Sequence, residues 1–371
     1  MLFYIFFHKF FNKKRIFEFY LVLLLDQSFR GFITTLLGAN MKDKTLKIEE
    51  MFLSPFAFKS KDTVGRARAE EPCPTRTPFQ RDRDRIIHCK AFRRLKNKTQ
   101  VFFSPEGDHY RTRLTHTLAV SQVARAIARG LSLNEDLTEA IALGHDLGHT
   151  PFGHSGERIL NQLNPNGFEH NIQSGRVVDI LENDGLGLNL TREVVDGIIN
   201  HKLKCSPKTL EGKAVSLADR IAYINHDIDD AIDGGFITDS DIPADAKRLL
   251  GNTSSQRINA MVSAIYSFSD GKNKVEMPKD IHDATMLLRE FLFDKVYKHK
   301  TFRDEEERAN RMISALYEYY KKAPEKLPEF YLKRLENEDI NTVLCDYISG
   351  MSDMYAVRTF SEIFIPRNWK L

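Results

Sequence analysis

Four side chains in this sequence are of the types that bind a divalent metal ion: His116, the adjacent pair His145 and Asp146, and the later Asp219. Neighbouring residues on a helix point about 100° apart. An adjacent His and Asp therefore reach one ion only at a helix end or a distortion, where the flanking glycines place this pair. Imidazole and carboxylate groups together suit Mg, Mn, Fe or Zn rather than a soft ion. A single His is more often a packing residue, but the set of four predicts a divalent metal site.

The segment after this pair is rich in Gly, Pro and His, and it predicts a rigid loop that presents side chains. His154 and Glu157 are three residues apart, so they share a face if a helix begins here. A carboxylate that holds a His in one tautomer is the usual arrangement of a general base. The alternative is a network that only orients the metal ligands. A further polar cluster contains His170, which could protonate a leaving group or cap the next helix.

A third group of polar residues follows one helical stripe. Asp219, Tyr223 and Asp227 are spaced four apart and so line one face, and Arg220 stands beside the first of them. Soluble helices often carry this many charges without a function. Because this stripe starts at a predicted metal ligand, we interpret Tyr223 and Asp227 as substrate contacts.

Charge and cysteine content restrict the class of protein. The chain has 371 residues, is 42% hydrophobic and 28% charged, and carries a net charge of +3, which argues against a general nucleic-acid coat. Residues 81–98 hold eight Lys or Arg against two Asp; such a run is usually a solvated helix face, or it could hold a polyphosphate. The four cysteines show no zinc or disulfide spacing, which fits a reducing, cytoplasmic setting.

The elements that would position these residues are predicted to be helices. Apolar residues recur at steps of three and four in 118–131, 134–144, 193–201, 213–232, 284–297 and 309–320, and alternating strand patterns are scarce. The expected fold class is all-α. Residues 41–79 are rich in turn-forming residues and predict an irregular lead-in.

The N-terminal residues are rich in apolar side chains, but their pattern does not predict a membrane span. The apolar run of residues 19–25 is far shorter than the roughly 20 residues that a spanning helix needs. We expect 1–40 to be an extension ahead of a start at Met41 and not part of the native protein. A peripheral membrane anchor and an export signal are the alternatives.

Six ordered segments resemble one known family, the HD-superfamily deoxynucleotide triphosphohydrolases, or dGTPase-like proteins. They are RDRDRIIHCKAFRRLKNKTQ (81–100), RTRLTHT (111–117), GHDLGHTPFGHSGE (144–157), FEHNIQS (168–174), ADRIAYINHDIDD (218–230) and DYISGMSDMYA (346–356). The resemblance implies an HD-domain helical fold with additional C-terminal helices. Its expected parts are a lead-in and basic substrate-contacting segment at 41–110, a metal-binding catalytic core at 111–235, and a C-terminal helical region at 236–371 packed on that core.

The resemblance also implies residue roles. The metal ligands would be His116, His145, Asp146 and Asp219, and the catalytic residues His154, Glu157 and His170. Substrate would be bound by Gln100, Arg113, His149 and Arg220 at the nucleotide and its phosphates, and by Tyr223 and Asp227 at the sugar.

The reaction that the resemblance implies is hydrolysis of a dNTP, such as dGTP, to the deoxynucleoside and inorganic triphosphate. Family members are helical, cytoplasmic and oligomeric, so we expect a homo-oligomer without stable membrane insertion. A second dNTP as activator and single-stranded nucleic acid are further candidate partners. The alternatives are another HD phosphohydrolase, such as a 5′-nucleotidase or a signalling-nucleotide hydrolase, and a non-catalytic nucleotide or single-strand binder.

Two positions depart from the family pattern: Gly175 replaces a larger apolar residue, and Met354 replaces a common basic one.

Overall fold

The computed structural model describes residues 41–100 and 111–366, and this part of the chain confirms the all-α prediction. The described residues contain no strand, only isolated bridges between Arg66 and Thr191 and between Thr99 and Thr112. The helices are α1 Met41–Phe52, α2 Pro78–His88, α3 Lys90–Arg94, α4 Arg113–Gly130, α5 Glu135–Gly144, α6 Gly153–Leu163, α7 His170–Arg176, α8 Arg192–Ile199, α9 Leu210–Asp233, α10 Ala244–Leu250, α11 Ser254–Ser269, α12 Lys279–Leu292, α13 Lys300–Lys322, α14 Glu329–Arg334, α15 Ile340–Ser349 and α16 Asp353–Phe364.

The helices that carry or precede the predicted metal ligands start at side-chain caps. Thr112 accepts a hydrogen bond from the Thr115 amide at the start of α4, and Asn134 accepts one from the Leu137 amide at the start of α5. Each cap satisfies one of the amide groups that a helix start leaves without a partner. All six segments expected to be helical from their periodicity contain helices. Two π-helical turns follow α7 and α12.

The expectation of an irregular lead-in at 41–79 was wrong for its first part, because α1 is a helix. The rest of that segment has one short 3₁₀ turn, Ser60–Asp62, ahead of α2. The expected extension at 1–40 lies outside the described residues. No helix among the described residues combines the length and the apolar character needed to cross a membrane.

Two hydrophobic clusters hold the helices together. The larger one contains buried side chains of α2–α5, of α8–α12 and of the π-helical turn after α7, and the smaller one joins α6 to α13, α15 and α16. In the larger cluster Val120 and Ile127 of α4 and Ile221 and Ile224 of α9 are at most 1% exposed. Burial of one such side chain contributes about 1.5–3 kcal/mol. This packing fixes α4 and α9 against each other, and these two helices carry His116 and Asp219.

Candidate metal centre and hydrolytic site

The loop between α5 and α6 is held against α7 by a glycine. A Cβ on Gly148 would lie 2.2 Å from the Ser174 nitrogen, so only glycine allows this approach. The Gly148 amide donates to the Ser174 hydroxyl at 2.9 Å, and that hydroxyl lies 2.8 Å from the His145 carbonyl. Phe152 and Gly153 then take left-handed backbone angles, which turn the chain into α6. The loop therefore presents its side chains from a fixed backbone.

The structure brings the four predicted metal ligands together from three helices. His116 Nε2 lies 3.1 Å from Asp219 Oδ1, and His145 Nε2 lies 3.9 Å from the same oxygen. His145 Nε2 also lies 3.7 Å from Asp146 Oδ1. Ligand atoms of His116, His145 and Asp146 all fall within 4.8 Å of one another. The set could hold a divalent ion.

Two features of this cluster fit a metal ion rather than a closed hydrogen-bond network. His145 Nδ1 lies 2.6 Å from the Ala142 carbonyl, which can only accept, so this nitrogen carries the ring hydrogen and Nε2 carries a lone pair. That Nε2 atom is buried and has no hydrogen-bond partner. A His anchored through one nitrogen with the other free is the usual form of a metal-ligating imidazole.

Arg113 holds Asp146 in its charged form. Its Nη1 donates to Asp146 Oδ2 at 2.6 Å, and its Nη2 donates to the Gln100 carbonyl at 3.3 Å. Burial would raise the pKa of Asp146, but the Arg113 guanidinium and the His145 ring outweigh it and hold that pKa well below its usual range. Arg113, expected at the phosphates, is buried, and its guanidinium bonds to Asp146 and to the Gln100 carbonyl.

Glu157 is the centre of a second polar cluster. Its carboxylate lies 3.2 Å from His154 Nδ1 and 2.9 Å from His170 Nδ1, and it accepts from the Lys202 ammonium at 3.0 Å. Burial would raise the pKa of Glu157, but the hydrogen bonds from His154 and His170 lower it far below its usual range. Glu169 is the N-cap residue of α7, and no side-chain capping bond is present there. The capping alternative for His170 was therefore wrong.

The two clusters adjoin through stacked histidines. The His149 ring stacks on the His170 ring with centroids 4.5 Å apart. His149 Nδ1 accepts from the Thr150 amide at 3.1 Å, so its Nε2 carries the hydrogen, and that atom is buried without a partner. Burial and the Arg113 charge lower the pKa of His149 well below its usual value. His149 is thus a neutral donor with one unused hydrogen.

Tyr223 and Asp227 lie on the same face of α9 as the predicted ligand Asp219. The Tyr297 hydroxyl donates to Asp227 Oδ2, while Asp227 Oδ1 is buried without a partner. Burial raises the pKa of Asp227 to about 7, and the hydrogen bond from Tyr297 opposes this. The Arg289 side chain hydrogen-bonds Tyr223, whose pKa is raised by burial.

The remaining predicted substrate residues are buried with unused polar atoms. Gln100 Oε1 and Arg220 Nε have no hydrogen-bond partner. The basic stretch is different, because its arginines pair within the fold: Arg83 with Asp136 and Glu139, and Arg85 with Glu70. These pairs join α2 to α5 and to the segment that precedes α2.

Sequence reasoning missed four residues that the structure places here: His201, Lys202, Arg289 and Tyr297. His201 Nε2 lies 3.3 Å from His170 Nε2, and burial lowers the pKa of His201 to about 3. The available signal was weak: His201 and Lys202 follow a helix end, and Tyr297 ends an apolar helix at a regular spacing. Only the tertiary fold makes them neighbours of the site.

The sequence matches two domain families and several named relatives. The HD domain profile matches residues 113–224, and the phosphohydrolase-associated domain profile matches residues 275–362. A deoxyguanosinetriphosphate triphosphohydrolase-like protein of Caldanaerobacter subterraneus subsp. tengcongensis is 55% identical over 329 residues, which is 89% of this chain and 97% of the relative. Relatives with the same name from Clostridium perfringens and Clostridium tetani are 48% and 46% identical, over 88% of this chain and 98% and 97% of their own lengths.

Proposed function

This chain belongs to the family of deoxyguanosinetriphosphate triphosphohydrolase-like proteins, and we propose that it hydrolyses deoxynucleoside triphosphates to the deoxynucleoside and inorganic triphosphate. The observation that carries the proposal is the contact between two clusters. Asp146 belongs to the His and Asp cluster, and one of its oxygens lies within 4.8 Å of a ring nitrogen of His170. His170 in turn is bonded to Glu157, which also holds His154.

The proposed ion site consists of His116, His145, Asp146 and Asp219. A divalent ion held there would supply a Lewis acid that polarises a phosphoryl oxygen and favours deprotonation of the attacking water. The Arg113 guanidinium keeps Asp146 anionic and fixed in orientation. Orientation of ligands by such partners is what sets the affinity of a metal site.

His154 is the proposed proton carrier. Its side chain is 63% exposed, and its Nδ1 lies against Glu157, so its Nε2 faces outward from the cluster. During hydrolysis the water oxygen bonds to the α-phosphorus, the bond from that phosphorus to O5′ breaks, and O5′ takes a proton. A His with a carboxylate behind it can move this proton at neutral pH.

The substrate contacts follow from the unused polar atoms. The neutral His149 offers an Nε2 hydrogen to a phosphoryl oxygen, and Arg220 offers its guanidinium to the phosphates. The free Asp227 oxygen can accept the 3′-hydroxyl, beside Tyr223 as an aromatic wall. Gln100 offers its side-chain oxygen to the nucleotide.

The test is a turnover assay with the four dNTPs and GTP, singly and mixed, in Mg²⁺, Mn²⁺ or Co²⁺. Nucleoside and triphosphate are measured together. We expect equal amounts of deoxynucleoside and tripolyphosphate from at least one dNTP. Release of orthophosphate or of a monophosphate would identify another phosphohydrolase, and binding without turnover would identify a nucleotide binder.

The same protein samples can be used to test the proposed partners, which are a dNTP activator, further copies of the chain and single-stranded nucleic acid. A rate with mixed dNTPs that exceeds the sum of the single rates would show a dNTP activator. The proposed homo-oligomer is tested by light scattering, and single-stranded nucleic acid by its effect on the dNTP rate.

A further inference from the structure

Asp353, the first residue of α16, uses both of its carboxylate oxygens outside its own helix. Its Oδ2 accepts a hydrogen bond from the Thr99 amide at 2.9 Å, and its Oδ1 accepts one from the Phe152 amide at 3.0 Å. The cap of α16 is supplied instead by Ser352, whose side chain accepts from the Tyr355 amide. The Asp353 carboxylate therefore ties together two segments that lie 254 and 201 residues away from it along the chain.

Each of these two segments carries a residue of the proposed site. Thr99 precedes Gln100, whose side-chain oxygen is buried without a partner, and Phe152 lies shortly before His154. The segments meet at Gly153, where an added Cβ would lie 3.0 Å from the Gln100 carbonyl oxygen. The carboxylate thus spans the point where the proposed nucleotide contact and the proposed proton carrier approach each other.

Phe152 has a backbone conformation that needs such support. Its φ of 60° and ψ of 28° are left-handed, which a residue with a Cβ rarely adopts. A conformation of this kind persists only where the surrounding contacts determine it. Here the ring packs against the smaller hydrophobic cluster, and the amide is held by Asp353. Because α6 starts directly after Phe152, the placement of His154 in its first turn depends on these contacts.

We propose that Asp353 is a positioning residue of the hydrolytic site, which holds Gln100 and His154 at the separation that one bound nucleotide requires. Gln100 is fixed on its other side by Arg113, which donates to its carbonyl at 3.3 Å. Misplacement of a reacting group by about 1 Å can slow an enzyme by about a hundredfold. The C-terminal region matched by the phosphohydrolase-associated domain profile, residues 275–362, therefore contributes to the site itself through this carboxylate.

The two hydrogen bonds can be tested without any substrate. Hydrogen exchange of the full-length protein, followed by mass spectrometry, reports on the peptides that contain Thr99 and Phe152. We expect both peptides to exchange faster in Asp353→Ala than in the wild type, and peptides from the core helix α9 to exchange at the same rate. Unchanged exchange in the Thr99 and Phe152 peptides would show that the carboxylate does not hold these amides, and it would overturn the proposal.

The positioning role is tested by dNTP turnover, and only this part rests on the proposed function. Asp353→Ala removes both accepting oxygens, and Asp353→Asn leaves one. We expect kcat/KM to fall about 10- to 100-fold in Asp353→Ala, and by less in Asp353→Asn. KM should rise while kcat falls, because Gln100 and His154 both move. A lower kcat at unchanged KM, in proportion to a loss of folded protein, would indicate a purely structural residue and contradict the positioning role.

Asp339→Ala is the matched control. Asp339 is the N-cap residue of α15 and accepts from the Thr342 amide at 3.1 Å, within its own helix. Its replacement removes a similar hydrogen bond from the C-terminal region but leaves the proposed site untouched, so we expect wild-type KM and kcat. Equal kinetic losses in Asp339→Ala and Asp353→Ala would also overturn the proposal.

The failure of this proposal can be distinguished from the failure of the proposed function. Absence of dNTP turnover in the wild type would count against the proposed function, and the exchange experiment would then decide whether Asp353 holds the two segments. Wild-type kinetics in Asp353→Ala would count against the positioning role alone. Circular dichroism identifies a folding failure of Asp353→Ala, in which case Asp353→Asn decides.

Discussion

Glu157 determines what its neighbouring side chains can do. It accepts hydrogen bonds from His154, His170 and Lys202 at once, and an ionised carboxylate with several such donors is both fixed in place and hard to protonate. These hydrogen bonds lower the pKa of Glu157 in the folded state. The ionised carboxylate therefore contributes to stability at neutral pH, and this contribution is lost only on strong acidification. His154 is the exposed member of the group, which is why we propose that it, rather than His170, exchanges a proton with substrate.

We predict that His154→Ala slows dNTP turnover by about a hundredfold or more, within the range that general acid–base catalysis contributes. Bound metal should be unchanged, because His154 is not one of the four proposed ligands His116, His145, Asp146 and Asp219. Turnover and metal content of the purified variant check this. His282→Ala, on the exposed surface of α12, is the control and should keep full activity. An unaltered rate in His154→Ala would remove this side chain from the mechanism.

Local spacing was enough to predict the pair of His154 and Glu157, because residues three apart on a helix are neighbours. It was not enough for His170 and His201, which are 31 residues apart and meet only through the packing of α7 beside α8. The same holds for Asp227 and Tyr297, 70 residues apart. Pairs of site residues within one helix could thus be predicted from the sequence. Pairs between different helices, such as His170 with His201, depended on the tertiary fold.

At the level of elements, helices with an apolar face were predictable and α1 was not. The helix α4 buries nine of its residues, whereas Glu49 is the one buried residue of α1. Periodicity detects a helix through the apolar face that it buries. A helix whose buried residue is a carboxylate gives no such signal.

The departure at Gly175 has a packing explanation in the contact between α7 and α8. A Cβ on Gly175 would lie 2.5 Å from Cγ1 and 2.6 Å from Cδ1 of Ile199. The Ile199 side chain therefore occupies the space that a larger residue at position 175 would need. The space beside Gly175 is thus filled by the side chain of Ile199, at the end of α8.

We predict that Gly175→Ala destabilises the protein by about 1–3 kcal/mol through overpacking, and that adding Ile199→Ala reverses part of that loss. The two changes should couple favourably by about 0.5–3 kcal/mol, as contacting residues do. Urea unfolding of the wild type, both single variants and the double variant gives the coupling energy. Strictly additive effects would contradict the contact.

Lys98 connects the loop between α5 and α6 to the C-terminal helices. Its ammonium group is buried and lies 2.5 Å from the His149 carbonyl and 2.7 Å from the Ser349 carbonyl at the end of α15. Burial and the nearby Arg94 charge lower the pKa of Lys98 to about 7.

We predict that Lys98→Met lowers the free energy of unfolding by about 1–3 kcal/mol, since it leaves two buried carbonyls without a donor. It should also reduce dNTP turnover, because the His149 backbone loses its anchor. Thermal melting and steady-state kinetics check both effects. The exposed Lys96→Met on the same segment is the control and should match wild type. Equal behaviour of the two variants would show that Lys98 does not position the loop.

On the scale of the whole molecule, stability should depend on pH through Glu211, a buried carboxyl group where the segment after α1 meets the starts of α5 and α9. Its Oε1 accepts from the Phe58 and Asn134 amides, and its Oε2 is buried without a partner. Burial raises its pKa from 4.5 to about 7. Between these two values the folded state binds more protons than the unfolded state, so this group's contribution to stability is complete below pH 4.5 and is lost as pH rises through 7.

We therefore predict that Glu211→Gln, which stays neutral, becomes more stable relative to wild type as pH rises from 5 to 8. The change in the difference should be up to about 3 kcal/mol, the value of a shift of this size at about 1.4 kcal/mol per pH unit. Urea unfolding at both pH values measures it. Glu135→Gln is the opposite control, because the hydrogen bond from Arg129 lowers the pKa of Glu135, so its replacement should cost stability at neutral pH. Parallel pH profiles for wild type and Glu211→Gln would show that Glu211 is already ionised in the fold, and that the two amides at its Oε1 outweigh its burial.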